Sequence, residues 1–377
     1  MATDLVGEGT YGKVRFVKDG VVKKIIKHDW SRIAHVILVE AWILHRFRHP
    51  NLVRGLGVCV RSPTDLDVYM QDAGVHLREA MRQGWGRTPS LLTQLLRGVA
   101  HLHAHRVVHR DLKPYNVMVT PDGVLRIGDF GAAAMLQTWL GYTTHVTSRH
   151  YRSPEQLLLQ PHGTPADVWA VGCILAEMLL LEYGADPHPH PLFPGKHSEE
   201  TPPPGHVWGT ICEHDLDHDQ ILVVAGELAR LHACPAAGDP TGLGTGVRAV
   251  HAQTELLWPL HHPVPRPYAH LVMPRAVREM SPHAATSRFS PRVPGAWLRD
   301  LLLPMLHVHP QSRPTAQDVL QHPLLLLAPP PRRPAEAPME SEETVRVLRK
   351  LCGLQARQAH AQLQDAWRQS YAEAAVC

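Results

Sequence analysis

Hydrophobic and polar positions change rhythm along the chain. The first seventy residues read as short strands with one helix. Val14-Arg15-Phe16-Val17 alternates and then meets Lys18-Asp19-Gly20. Asp-Gly is a tight-turn signal, so Val21 to Ile26 is expected as the returning strand of a hairpin. From about Ile33 to Phe47, the residues Ile33, Val36, Ile37, Ala41, Leu44 and Phe47 fall at helical spacing. Pro50-Asn51 ends that helix, and short strands follow near 52–60 and 66–71. Beyond Gly74 the pattern turns helical, with helices expected over 77–82, 91–105 and 166–181. A loop-rich stretch dense in ionisable residues, 107–155, lies between them. From 183 to about 294 the chain is rich in Pro, His and Gly, with one helix expected at about 219–231. Short helices are expected at 296–306 and 315–320. Residues 328–339 read as a proline-rich linker. Residues 340–377 read as a helical tail, with Val345, Leu348, Cys352, Ala359, Leu363 and Ala366 on one side and Gly353 weakening it. There is no internal repeat.

Composition narrows the class. A chain of 377 residues and 42.0 kDa holds one large domain or two ordinary ones. With 44% hydrophobic and 19% charged residues it can bury a core. Lys and Arg exceed Asp and Glu by only 38 − 35 = 3, which argues against nucleic acid and a membrane surface as partners. No run approaches the uninterrupted apolar length of a bilayer span. Met1 to Gly9 carries no charged-then-apolar leader. Six scattered cysteines suit a reducing compartment, hence an intracellular place in cytoplasm or nucleus.

Candidate chemistry begins at Gly7-Glu8-Gly9-Thr10-Tyr11-Gly12-Lys13-Val14. Gly7, Gly9 and Gly12 alone fit either a dinucleotide fingerprint or a plain hairpin. A dinucleotide site needs a helix after the glycines. Here strand pattern follows, which fits a glycine-rich hairpin whose backbone N–H groups can approach phosphate oxygens. Next come His109-Arg110-Asp111-Leu112-Lys113-Pro114-Tyr115-Asn116 and, thirteen residues after Asn116, Asp129-Phe130-Gly131. On these motifs the sequence resembles a eukaryotic-type protein kinase from about Leu5 to Pro323, more loosely over 184–295.

The resemblance implies an α+β, bilobal fold: a small β-rich N-lobe (about 1–71), a larger helical C-lobe (about 75–327), and ATP between them. Phosphoryl transfer is mostly positioning and charge neutralisation. Asp111 is then the catalytic base for the substrate hydroxyl, and Lys113 sits beside the transferring phosphate. Asn116 and Asp129 offer oxygens to Mg²⁺, a hard cation. Lysine in Asp111-Leu112-Lys113-Pro114 is the form found in serine/threonine kinases. Glu40, nine residues before His49-Pro50-Asn51, stands where the family's helix glutamate sits. Its lysine partner is expected on Val21-Val22-Lys23-Lys24-Ile25-Ile26. Period two puts Val21 and Lys23 on one face, so Lys23 is taken and Lys24 is kept as the alternative. The adenine site is expected between Val14 and Val21 above and Met118 below. Met70 is the gatekeeper, and Gln71 to Ala73 form a hinge whose backbone bonds the base. His76 departs from the family, where many relatives carry an acidic residue toward the ribose.

Ser148-Arg149-His150-Tyr151-Arg152-Ser153-Pro154-Glu155 resembles the activation-segment end of the CMGC group, above all dual-specificity tyrosine-regulated and homeodomain-interacting kinases. Leu192-Phe193-Pro194-Gly195 is shared with that group too, cyclin-dependent kinases included. Glu155 is expected to pair with Arg313 in the interior, and Asp167 to tie down the catalytic-loop backbone. A tyrosine three residues before Ser148 in the tyrosine-regulated relatives is His145 here. Thr143 or Thr144 is therefore the expected activating phosphorylation site, to be read by Arg110. Thr10 and Tyr11 are taken as plain loop residues. Cys212, His214, His218, His232 and Cys234 could in principle ligate zinc, but their spacing is looser than that of metal fingers, and chance clusters are expected among so many histidines. A short lead-in to the glycines and the divergent insert suit a viral or fast-evolving kinase. The alternative of another class is a catalytically weak, ATP-binding scaffold. It predicts a missing lysine, Asp111 or Asp129, and each has a candidate. Expected partners are protein substrates, with docking of a further partner through the 340–377 helix left open.

Overall fold

In a computed structural model, the described residues are 5–9, 12–18, 20–27, 40–62, 65–136, 149–157, 161–184, 191–193, 289 and 292–326. The expectations placed on Ile33 to Ile37, Thr10 and Tyr11, Thr143, Thr144, His145 and Ser148, most of the 184–295 insert, the proline-rich linker and the tail lie outside them.

The N-terminal lobe is one antiparallel sheet. Its strands are β1 (Leu5–Gly9), β2 (Gly12–Lys18), β3 (Val21–Lys27), β4 (Gly55–Ser62) and β5 (Asp65–Gln71), in the order β1-β2-β3-β5-β4. The expected hairpin is present: β2 and β3 pair antiparallel and close at Lys18 and Val21. Gly20 takes a φ of +74° in its turn, where a side chain would be strained. The described residues of the glycine segment are two antiparallel strands, with Gly9 opposite Gly12. That is the hairpin reading of the motif, not the dinucleotide one. The described part of helix α1 covers 40–46, and the chain leaves it before Pro50 as expected.

The second lobe is mostly helical. It holds α2 (Leu77–Arg82), α3 (Thr88–Ala104), α4 (Pro154–Leu157) and α5 (Thr164–Tyr183), then helical turns over Trp297–Leu302, Leu303–Met305, Ala316–Leu320 and Pro323–Leu326. Helix α3 begins a turn earlier than its apolar period. Pro89 suits the first turn, and the amide of Thr88 donates to the carboxylate of Glu182, 2.7 Å away on α5. That acceptor satisfies a helix-end donor that Arg87 cannot. The Ala316–Leu320 helix starts on a capping box between Thr315 and Asp318.

Helix α5 is long and apolar enough to cross a membrane by length and composition. It is the central core helix instead. Trp169, Val171, Cys173, Ile174, Leu175, Ala176 and Leu179 on it are all but inaccessible, and Trp169 stacks on Phe193 at 5.5 Å. Each of Val171, Ile174, Leu175 and Leu179 contributes on the order of 1.5–3 kcal/mol by burial.

Short strands fill the loop-rich stretch: β6 (Val75–His76), β7 (Val107–Val108), β8 (Val117–Val119), β9 (Leu125–Ile127) and β10 (Ala134–Met135). β6-β8-β9 form one small sheet and β7-β10 another. The loop after α1 is fastened to this layer. Val53 N donates to Ile127 O at 2.8 Å, and Ile127 N donates to Asn51 O at 2.9 Å. Buried Asn51 also donates to Leu125 O at 2.9 Å. The chain crosses between the lobes at 71–74. There Gly74 (φ +89°) lies so close to Val119 that a Cβ would strike the Val119 carbonyl oxygen.

Candidate active site

The hairpin register decides which lysine enters the cleft. Arg15, Lys23 and Tyr69 form one row across β2, β3 and β5, while Val14, Lys24 and Val68 form the next. Adjacent rows point to opposite faces. Lys23 faces Asp67 at 3.4 Å. Lys24 turns inward and meets Glu40 at 2.8 and 3.0 Å and Asp129 at 2.8 Å. The ion pair expected of Lys23 is therefore made by Lys24. Val21 shares the face of Lys23 by alternation, whereas Val22, buried in the core opposite Met70, shares that of Lys24.

Burial alone would drive the Lys24 ammonium to shed its proton. The charges of Glu40 and Asp129, and their hydrogen bonds, more than offset this and hold its pKa above the ordinary value. Burial pushes the Glu40 carboxyl up, against the pull of Lys24. At Asp129 the burial penalty is overcome by Lys24, which holds that carboxyl below its usual range. Asp129 also sits at φ +57°, one of three non-glycine residues in the left-handed region among those described; Arg110 (φ +65°) is another. Such conformations cost about 1–3 kcal/mol each and concentrate where a backbone is held for function.

Below this triad lies the loop of Asp111. Lys113 Nζ is 2.8 Å from Asp111 Oδ2. Asn116 Nδ2 donates to Asp111 O at 2.8 Å and to Asp111 Oδ2 at 3.0 Å. These bonds use the amide nitrogen of Asn116 and turn its oxygen into the remaining acceptor. Asp129 likewise spends Oδ1 on Lys24. The set left over is oxygen only, the donor chemistry a hard divalent cation requires.

The loop is held from behind. Fully buried Asp167 accepts from His109 N at 2.8 Å and Arg110 N at 2.9 Å, and pairs with His103 Nε2 at 2.9 Å. Burial would raise its carboxyl, but the hydrogen bond and charge of His103 and the His109 amide outweigh this and lower it. The expected anchoring by Asp167 is present. His103 was not foreseen; it is one of 28 histidines, and nothing local marks it. His109 Nε2 lies 3.0 Å from Gly128 O, joining the loop to the Asp129 segment. Arg110 Nε reaches Ala132 O at 2.6 Å.

At the crossing between lobes, Met70 and Ala73 are buried, while Val14 and Met118 are half-buried against the core. Gln71 N and Asp72 N are already bonded to Arg54 O and Gly20 O. The expected pair of Glu155 and Arg313 is formed at 2.7 and 2.8 Å, in full burial. Arg313 also donates to the carbonyls of His307, Val308 and Pro165 and lies over the Trp169 ring.

A second network was not read from the sequence. Arg78 of α2 bonds Glu177 of α5 at 2.6 Å, and Tyr151 donates to the other Glu177 oxygen at 2.7 Å. Burial and the neighbouring carboxylate push the Tyr151 phenol up, so it stays a donor. Arg78 and Glu177 are 99 residues apart, and no local pattern pairs them.

A five-stranded lobe set on a helical lobe, with a lysine–glutamate–aspartate triad above an aspartate–lysine–asparagine loop, is the architecture of a protein kinase. The comparisons with known proteins agree: residues 2–190 match the protein kinase domain family, and the chain belongs to it. Among relatives, mouse (Mus musculus) cyclin-dependent kinase 4 is 38% identical over 158 residues, covering 39% of this chain and 52% of that protein. Its Xenopus laevis counterpart is 29% identical over 340 residues, covering 84% and 88%. The Drosophila melanogaster serine/threonine-protein kinase PITSLRE is 38% identical over 209 residues, covering 51% and 21%. The chain thus spans about half the length of the mammalian relatives it matches.

Proposed function

We propose that the chain is a protein serine/threonine kinase that transfers the γ-phosphate of Mg·ATP to hydroxyls of protein substrates. One observation carries this reading: a single buried ammonium, Lys24, bonded to both Glu40 and Asp129 above Asp111. In protein kinases this lysine–glutamate pair and the metal-binding aspartate must both be in place for transfer. Lys24 holds the nucleotide phosphates, and the hairpin from Gly7 through Gly9 to Gly12 covers them. The base lies between Val14 and Val22 above and Met118 below, bonded to the backbone of Gln71 and Ala73. Asn116 and Asp129 would hold Mg²⁺, whose charge offsets that of the phosphates.

Asp111 accepts the substrate hydroxyl's hydrogen bond and takes its proton as the oxygen attacks phosphorus. Lys113, 2.8 Å from Asp111, offsets negative charge growing on the transferred group. A lysine here, and the name of the Drosophila relative as a serine/threonine-protein kinase, support serine and threonine over tyrosine. The catalytic domain extends to about residue 327 under this reading, because Arg313 is built into the lobe through Glu155. A peptide library phosphorylated with radiolabelled ATP, followed by phosphoamino-acid analysis, tests the reading. Label on serine and threonine is expected; label confined to tyrosine, or none, overturns it.

A further inference from the structure

Most large aromatic side chains among the described residues of the second lobe are buried, but Tyr115 is 57% exposed. It lies in the catalytic loop between Lys113 and Asn116. An exposed tyrosine there has no packing reason to be ordered, yet its ring is braced twice. The His76 ring meets it edge-on at 5.2 Å, and the Arg78 guanidinium lies 5.8 Å over its centroid. Arg78 is itself fixed by Glu177 and by the Tyr151 hydroxyl at 3.2 Å. The Glu177 carboxylate is buried, with Arg78 on one oxygen and Tyr151 on the other. What this cluster turns outward, a few residues from Asp111, is an aromatic surface beside a cation.

We infer that Tyr115 is a specificity-determining residue: its braced ring receives an apolar or aromatic side chain flanking the phosphoacceptor, and the Arg78 cation beside it disfavours lysine or arginine there. The inference rests on the kinase reading. A rigid tyrosine offers contact area at small entropic cost, since two torsions fix it. The guanidinium already occupies the attraction that a substrate cation would seek from the ring's π-face. Stacking on a preorganised ring is worth about tenfold in kcat/KM, the scale of one well-filled apolar contact.

The test is a positional-scanning peptide library phosphorylated by the full chain, by Y115F and by Y115A, with KM for ATP measured alongside. Wild type and Y115F are expected to prefer aromatic or aliphatic over basic residues at one flanking position by roughly tenfold. Y115A is expected to lose that preference through peptide KM while KM for ATP holds. An unchanged preference in Y115A overturns the inference, and so does a change confined to KM for ATP, which would place the ring on the nucleotide. Wild type that labels no peptide overturns the kinase reading and this inference with it.

Discussion

At the scale of single residues, Lys24 shows what a sequence withholds. Val21-Val22-Lys23-Lys24-Ile25-Ile26 is a run of doublets, so sliding the strand by one residue gives the same pattern. A one-residue slip exchanges the faces of a strand, and only the pairing of Lys24 with Val14 and Val68 removes the ambiguity. The residues of the second lobe were legible because their order is itself the signal: Asp111, Lys113, Asn116 and Asp129 arrive at fixed spacing on one connected loop system. Their supports, His103 and the Arg78–Glu177 pair, come from distant helices and had no local mark. The two lysines therefore make a sharp pair of variants. K24M is expected to lower kcat/KM by about 100-fold or more, as removal of a preorganised phosphate-binding charge does. K23M, which alters a pair at 3.4 Å with buried Asp67 on the face of the strand away from Lys24, is expected to stay within about threefold in kcat/KM. Steady-state kinetics with varied ATP separates them, and the reverse order would return the anchor to Lys23.

At the scale of elements, long periodic helices were legible and their ends were not. Helix α2 fell where its period placed it, whereas α3 gained a turn because Glu182, on another helix, caps Thr88. Strands β6 to β10 hold two or three residues each, too few for a period to register. Expected contacts between elements held where charge demanded a partner. Glu155 and Arg313 lie in full burial, so R313L leaves a carboxylate unpaired and is expected to destabilise the fold by ~3–5 kcal/mol. The double variant E155L/R313L is expected to recover much of that loss, read by denaturant unfolding.

A second element-scale prediction concerns acid. His49 stacks on His101 at 4.7 Å, and His101 meets His105 at 4.5 Å along α3. Burial, then the charges of His101 and Arg97, push the His49 imidazole down to about 4, and burial lowers His101 as well. An unfolded imidazole titrates near 6.5. Between about 6.5 and 4 the unfolded chain therefore binds more protons, and stability rises with pH across that window. Stability is full above about 6.5 and is lost on acidification toward 4. Thermal melts at stepped pH are expected to show this fall, and H49Q to reduce its slope; an equal slope in H49Q would contradict the assignment.

At the scale of the whole molecule, a strand-rich start and a helix-rich continuation were legible because they differ in period, while the bilobal arrangement was implied by the resemblance to protein kinases. How the lobes are joined was not legible. The bridge of Leu52 to Ile127 and the bonds of Asn51 tie residues some seventy positions apart, a tertiary pairing no window of sequence contains. That fastening lets Glu40, on the helix leading into the loop, hold Lys24 above Asp129 while Asp167 holds Asp111 beneath. Under the proposed function these groups act together to move a phosphoryl group. The most direct measurement is the rate at which the full chain, given Mg·ATP and an accepted peptide, transfers labelled γ-phosphate, beside D111N under the same conditions. Transfer by the wild type and a loss of about 100-fold or more in D111N are expected, as when a general base is removed. Equal rates in the two proteins, or a wild type that transfers nothing, would contradict the proposed function.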